Sequence, residues 1–154
     1  MSRALDKSVK EALKHGDHRS VFLDISNVLI EPFELLEIEL LGKSHVLDPD
    51  STVLRDGNAV AIPKLRLEQA FMVARKLFLS YIGDNQSVST DEITRSTAVI
   101  LLMDPEHLTA ANTRKRLITT RSEDKDVTDT LKLEKHLVDS LLTSRLHRHT
   151  KSPT

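Results

Sequence analysis

Apolar residues recur every three or four positions through much of the second half of the chain, which is the spacing of one face of an α-helix. One such stripe runs through residues 64–82, and Gly83 ends it. Residues 90–103 form a second predicted helix that becomes almost wholly apolar toward Met103. A helix of that kind should be covered by neighbours on several sides. The stripe in the first of these helices comprises Leu67, Ala70, Phe71, Ala74, Leu77, Phe78 and Tyr81.

The same spacing predicts four more helices, at residues 3–15, 18–30, 108–120 and about 128–146. No periodicity continues into the tail, residues 147–154. The helix at about 128–146 is predicted to turn five apolar side chains toward the core. These are Leu131, Leu137, Val138, Leu141 and Leu142.

A local sequence signal marks the N-terminal end of the helix predicted at 90–103. The run Ser89-Thr90-Asp91-Glu92 has the form of a capping box at the start of the 90–103 helix.

Residues 34–62 differ from the rest of the chain, because apolar and acidic residues alternate from Leu36 to Leu40. Asp56-Gly57-Asn58 is a turn signal between this part and a short apolar run. We therefore predict an extended or hairpin-like segment at 34–62, with short helices as the alternative.

Together these patterns predict a mainly α protein whose helices pair antiparallel through short turns. We divide the chain into an N-terminal region, residues 1–62, and a helical region, residues 64–154. Whether the first region forms an independent unit is left open.

Composition narrows the functional classes. The chain has 154 residues, with 39% hydrophobic and 29% charged, which is typical of a folded soluble domain. A net charge of −1 gives no support to nucleic-acid binding. Without cysteine the chain can form no disulfide and no thiolate zinc site. No apolar run reaches the roughly 20 residues of a membrane span, and the N-terminus lacks an apolar signal segment, so we expect a cytoplasmic location.

The segment that points beyond fold class is residues 104–118, DPEHLTAANTRKRLI, which follows the apolar run of 97–103. An apolar helix ends at Asp104-Pro105, and the next helix carries Asn112 and Arg114 two positions apart. Proline suits the turn because its φ is fixed and it has no amide proton to satisfy. From the residues alone, Arg114 either bonds buried groups or belongs to a solvated basic face with Lys115 and Arg116.

This segment resembles the α-subunit repeat of protein prenyltransferases, in which an apolar helix runs into (N/D)-P-(D/E) and then T-A-W-N-x-R. Pro105, Asn112 and Arg114 match that pattern, together with Glu106, His107, Thr109 and Ala110, whereas Ala111 stands at the tryptophan position. The resemblance covers about residues 64–154, as one complete repeat and the start of a second. Residues 34–82 also resemble the N-terminal part of fungal proteins that contain prenyltransferase α-subunit repeats.

The resemblance implies an α-α superhelix of helical hairpins, in which Pro105 sets a turn and Asn112 and Arg114 tie one hairpin to the next. It implies a non-zinc subunit that scaffolds a catalytic β-subunit in a heterodimer. The zinc, the isoprenoid diphosphate and the acceptor cysteine are then expected at the β-subunit. No cofactor, metal site or catalytic residue is expected in this chain, and no activity is expected from it alone.

Residues 134–154 resemble the next repeat, since an apolar helix leads there into a Lys-Ser-Pro turn. In the family a W-x-H-R-R-W segment follows, and the chain stops at Thr154 where that segment would begin. We therefore expect the chain to be a fragment that is marginally stable alone. Ala111 keeps a second hypothesis open: a helical-repeat adaptor protein with no role in prenylation.

Overall fold

A computed structural model describes residues 18–30, 35–42, 52–83, 87–121 and 127–150. Within these residues the chain forms five α-helices and a small three-stranded sheet, which confirms the prediction of a mainly α fold. In chain order the elements are α1 (Arg19–Ile30), β1 (Glu37–Leu41), β2 (Leu54–Asp56), β3 (Ala59–Pro63), α2 (Lys64–Ile82), α3 (Thr90–Met103), α4 (Leu108–Arg121) and α5 (Val127–Thr150).

The described helices lie where the apolar spacing predicts them, with two qualifications. The predicted helix at residues 3–15 lies outside the described residues. Helix α5 continues to Thr150, so the prediction that periodic structure ends near residue 146 is wrong. The capping box is confirmed, because Ser89 Oγ accepts from the Glu92 amide at 3.1 Å and the Ser89 amide donates to the Glu92 carboxylate at 3.1 Å.

The three strands lie in the extended segment predicted at 34–62, except that β3 ends one residue beyond it at Pro63, and the short-helix alternative is wrong for the described residues of this segment. Strands β2 and β3 form an antiparallel hairpin across the two-residue turn Gly57-Asn58. Gly57 has φ +60°, a backbone conformation that favours glycine. The hairpin signal in the sequence is thus confirmed. The sequence did not indicate that β1 pairs parallel to β3, which gives the strand order β1-β3-β2.

One face of the sheet joins the hydrophobic core. Successive side chains of a strand point to opposite faces, so Ile38 in β1 and its register partner Val60 in β3 face the same way. Both are buried, as is Ile62 two positions further along β3. The alternation of apolar and acidic residues in β1 therefore reflects a strand with one covered face.

Helix α3 lies at the centre of the helical layer. It packs against α1 and α2, and also against α4 and α5. Eight of its 14 residues are buried, which agrees with its nearly all-round apolar surface. Arg95 on α3 donates to Ser26 and Asn27 of α1, and so fixes these two helices together by polar contacts as well.

Helix α5 packs along the edge of β1 through hydroxyl groups. Ser140 Oγ accepts from the Leu36 amide at 3.0 Å, and Thr143 Oγ1 accepts from the Ile38 amide at 3.1 Å. The Thr143 hydroxyl donates to the Leu36 carbonyl at 2.9 Å. These bonds satisfy backbone groups that an edge strand would otherwise leave open. They also join the N-terminal region to the helical region.

The side of α5 that faces away from β1 differs from the sequence prediction of five inward apolar side chains. Leu137 is buried and Leu141 packs against the core, as the sequence predicts. Leu131, Val138 and Leu142 are instead 51%, 47% and 49% exposed. The prediction that all five side chains turn inward is wrong for these three, because α5 carries apolar residues on two sides and only one side meets β1 and the neighbouring helices.

Candidate functional site

The turn between α3 and α4 is built by Asp104. Its amide donates to the Ile100 carbonyl at 2.7 Å, which closes α3. Its carboxylate accepts from the Glu106 amide at 3.1 Å, and its carbonyl accepts from the His107 amide at 3.1 Å. Asp104 itself is extended (φ −135°, ψ 90°), the conformation favoured before a proline. Pro105 occupies the exposed corner of this turn.

His107 starts α4. Its Nδ1 accepts from the Ala110 amide at 3.1 Å, so the imidazole takes the place of the usual N-cap oxygen. An accepting Nδ1 requires a neutral ring with its proton on Nε2. The ring also meets Phe78 of α2 edge-on, with centroids 5.8 Å apart and planes at 78°. His107 therefore holds the turn against α2.

Arg114 is the main polar junction of the helical layer. From α4, its Nε and Nη2 donate to the two carboxylate oxygens of Glu134 on α5, each at 2.8 Å. Its Nη1 donates to the Thr94 carbonyl at 2.7 Å and to Thr97 Oγ1 at 2.8 Å, both on α3. One guanidinium thus binds α3 and α5 at once, which its planar, multi-donor shape makes possible.

The burial of this junction makes each partner necessary. Only 8% of Arg114 is exposed, while the Glu134 side chain is 23% exposed. A charge removed from water this far needs an ion pair and hydrogen bonds to compensate for lost hydration. Removal of either partner would therefore leave a buried charge without compensation, which is strongly destabilising.

The neighbours of Arg114 have different environments. Lys115 and Arg116 are exposed, whereas Arg114 is buried. Of the two alternatives drawn from the sequence, the solvated basic face therefore does not include Arg114. Asn112 is also exposed. Ala111, at the position where the resembling family has tryptophan, is half-buried and packs against the core.

A small cavity of about 70 Å³ lies beside the Arg114–Glu134 pair. Six of its ten lining residues are apolar, among them Leu29 and Ile30 of α1 and Leu117 of α4. Sites for drug-sized ligands have volumes of about 300–1,000 Å³. The space beside Arg114 is therefore suited to a few waters or one aliphatic side chain rather than to an isoprenoid or a nucleotide.

In the described parts of the chain, no group of three or more His, Asp or Glu side chains is placed to hold a metal ion. None of the described helices is both long enough and apolar enough to cross a membrane. No protein-family model matches the chain, and no curated protein matches it significantly.

The sequence did not point to the partners of Arg114. Glu134 lies 20 positions further along the chain, and Thr97 lies 17 positions back on a different helix. Arg114 binds the backbone carbonyl of Thr94, which any residue type would offer, and the side-chain oxygen of Thr97. The Thr97 hydroxyl already donates to the Ile93 carbonyl at 2.8 Å within α3, so its polarity did not require a partner from another helix.

Proposed function

We propose that this chain is an α-type, non-zinc subunit of a protein prenyltransferase. It would scaffold a catalytic β-subunit that transfers a farnesyl or geranylgeranyl group to protein cysteines. Two features support the proposal: the turn of residues 104–107 with the following T-A-A-N-x-R helix, and the contacts that Arg114 makes from that helix.

The contacts of Arg114 carry most of the argument. In the family that the sequence resembles, this arginine position ties one helical hairpin to the next. Here α3 and α4 form a hairpin, and Arg114 bonds both α3 and the helix that follows, α5. Under the proposal, α3–α4 is one repeat of an α-α superhelix and α5 is the first helix of the next repeat.

The proposal gives the chain an architectural role within a heterodimer. Pro105 sets the hairpin turn and Arg114 fixes the angle between successive hairpins. Asn112 is exposed, and the part in repeat packing that the resemblance assigns to it stays a prediction. The zinc, the isoprenoid diphosphate and the acceptor cysteine belong to the β-subunit side, so transfer requires the holoenzyme.

The test is affinity purification of the tagged protein from its own cytosol, followed by mass spectrometry. We expect a barrel-type prenyltransferase β-subunit in near-equal amount, and prenyl transfer to a cysteine-containing acceptor by the purified complex. Arg114→Ala should lower recovery of the β-subunit at least tenfold, because the hairpins lose their fixed angle. Arg116→Ala, which changes an exposed arginine of the same helix, serves as the matched control.

A second candidate is a helical-repeat adaptor protein with no role in prenylation. The half-buried Ala111 at the tryptophan position favours it, because that large aromatic anchor is a defining part of the family pattern. Recovery of some other stable partner, with no β-subunit present, would establish the adaptor and overturn the prenyltransferase proposal.

A further inference from the structure

The outer face of α5 carries an apolar stripe, which we define as Leu131, Val138 and Leu142. Each of the three is about half exposed, at 51%, 47% and 49%. At about 100° per residue, they fall within an arc of about 40° on one side of the helix. The stripe extends over about 16 Å along the helix axis.

The stripe points away from the body of the protein. Leu137, Ser140 and Ser144 are 4%, 2% and 4% exposed, and they lie about 120° to 180° around the helix from the stripe. Those three residues are on the side that meets β1 and the helices. Among the described residues, no element covers the stripe. An apolar face repeated over three turns is a typical interaction surface.

The charges beside the stripe indicate what covers it. Lys135 lies between Leu131 and Val138 along the helix, about 40° to one side of the centre of the stripe, and Asp139 lies one turn further along, about 80° to the same side. Consider a second copy of α5 laid antiparallel, with the twofold axis level with His136 and Leu137. Leu131 then lies level with Leu142 of the second copy, and Lys135 lies within about 1.5 Å, one residue's rise, of the level of Asp139 of the second copy, on the same flank. The same stripe paired in parallel would place Lys135 against Lys135, which is unfavourable.

We propose that the stripe on α5 is a self-association surface, on which two copies of this chain pair antiparallel. The inference rests on α5 alone and is independent of the proposed prenyltransferase role. Three side chains per copy form a contact well below the size of a standard protein interface. The dimer is therefore weak and reversible, with dissociation at micromolar or higher concentration.

A charge exchange tests the pairing directly. Sedimentation equilibrium of the full chain over a series of concentrations should show a monomer–dimer equilibrium. Lys135→Asp and Asp139→Lys should each weaken the dimer about tenfold, because each places like charges opposite one another. The double variant Lys135→Asp/Asp139→Lys should restore the original dissociation constant, since both ion pairs return with their signs exchanged.

The apolar contact has its own test and matched control. Val138→Glu should abolish the dimer, whereas Leu79→Glu, at a 53% exposed position on α2, should leave it unchanged. A chain that stays monomeric up to about millimolar concentration overturns the proposal. A dimer that persists in Val138→Glu also overturns it. The same holds if the double variant has a dissociation constant no lower than those of the single variants. In a monomer, slow thiol labelling of Val138→Cys would show instead that another part of the chain covers the stripe.

Discussion

Helices α3 and α5 both carry large apolar residues at helical spacing, yet they differ in how much of that apolar surface is buried. In α3 the residues from Thr97 to Leu102 are all buried, because neighbouring helices cover it on several sides. Helix α5 buries Leu137 on the side that meets β1 and the other helices, while its opposite stripe is half exposed. The comparison teaches that the spacing of apolar residues predicts a helix, whereas the position of that helix in the layer decides which side chains contribute to stability.

The sharpest test of this difference replaces one large apolar residue in each helix. Ile100→Ala in α3 should lower the free energy of unfolding by about 3–4 kcal/mol, since it leaves a cavity at a 2% exposed position. Leu142→Ala in α5 should change it by less than about 0.5 kcal/mol. Urea unfolding at low protein concentration measures both. Equal losses would mean that the α5 stripe is covered within the monomer.

The second prediction concerns Arg114, which links α3 to α5. Arg114→Ala should lower the free energy of unfolding by about 3 kcal/mol, because Glu134 and the Thr97 hydroxyl lose a buried charged partner. Arg114→Lys should recover only part of this loss, since an ammonium group cannot donate to both carboxylate oxygens in the same geometry. Arg116→Ala on the exposed side of α4 should stay within about 0.5 kcal/mol. Equal losses in the free energy of unfolding for Arg114→Ala and Arg116→Ala would contradict the role of Arg114 as the polar junction.

A third prediction concerns the side of α5 that is covered. Thr143→Val keeps the shape of the side chain but removes the acceptor for the Ile38 amide and the donor to the Leu36 carbonyl. We expect a loss of about 2 kcal/mol. Faster hydrogen exchange at the Ile38 amide should report the opened strand edge. Thr128→Val, at an exposed position of the same helix, is the control, and unchanged exchange at Ile38 would contradict the hydroxyl contacts.

The smallest expected effect lies at the turn after α3. His107→Ala should cost about 1 kcal/mol through loss of the cap on the Ala110 amide. His107→Asn supplies an oxygen acceptor in place of Nδ1 and should recover most of that loss. Both variants lose the ring contact with Phe78, so their difference in thermal unfolding isolates the cap. If asparagine is no better than alanine, the contact with Phe78 is the more important one.

The sequence predicted the features that depend on near neighbours. Ser89 and Glu92 are three residues apart, and Asp56, Gly57 and Asn58 are consecutive. All residues of each motif can therefore be read from one short segment. The Asp104-Pro105 step predicted a helix end for the same reason. For the candidate site, the sequence selected Arg114 as a possible buried donor but could not identify Glu134, because an ion pair between separate helices leaves no pattern in either helix.

What the sequence determined by itself is therefore the positions of the described helices, the Ser89 cap, the turn at Asp104-Pro105 and the β2–β3 hairpin, because apolar spacing, capping and turn signals act over a few residues. Only the tertiary structure decided that β1 lies parallel to β3 and that α5 closes its edge with Ser140 and Thr143, more than 100 residues away. It also decided that Arg114 is buried while Lys115 is exposed. These outcomes depend on which surfaces come together when the helices pack, and burial is a property of that assembly rather than of any one segment.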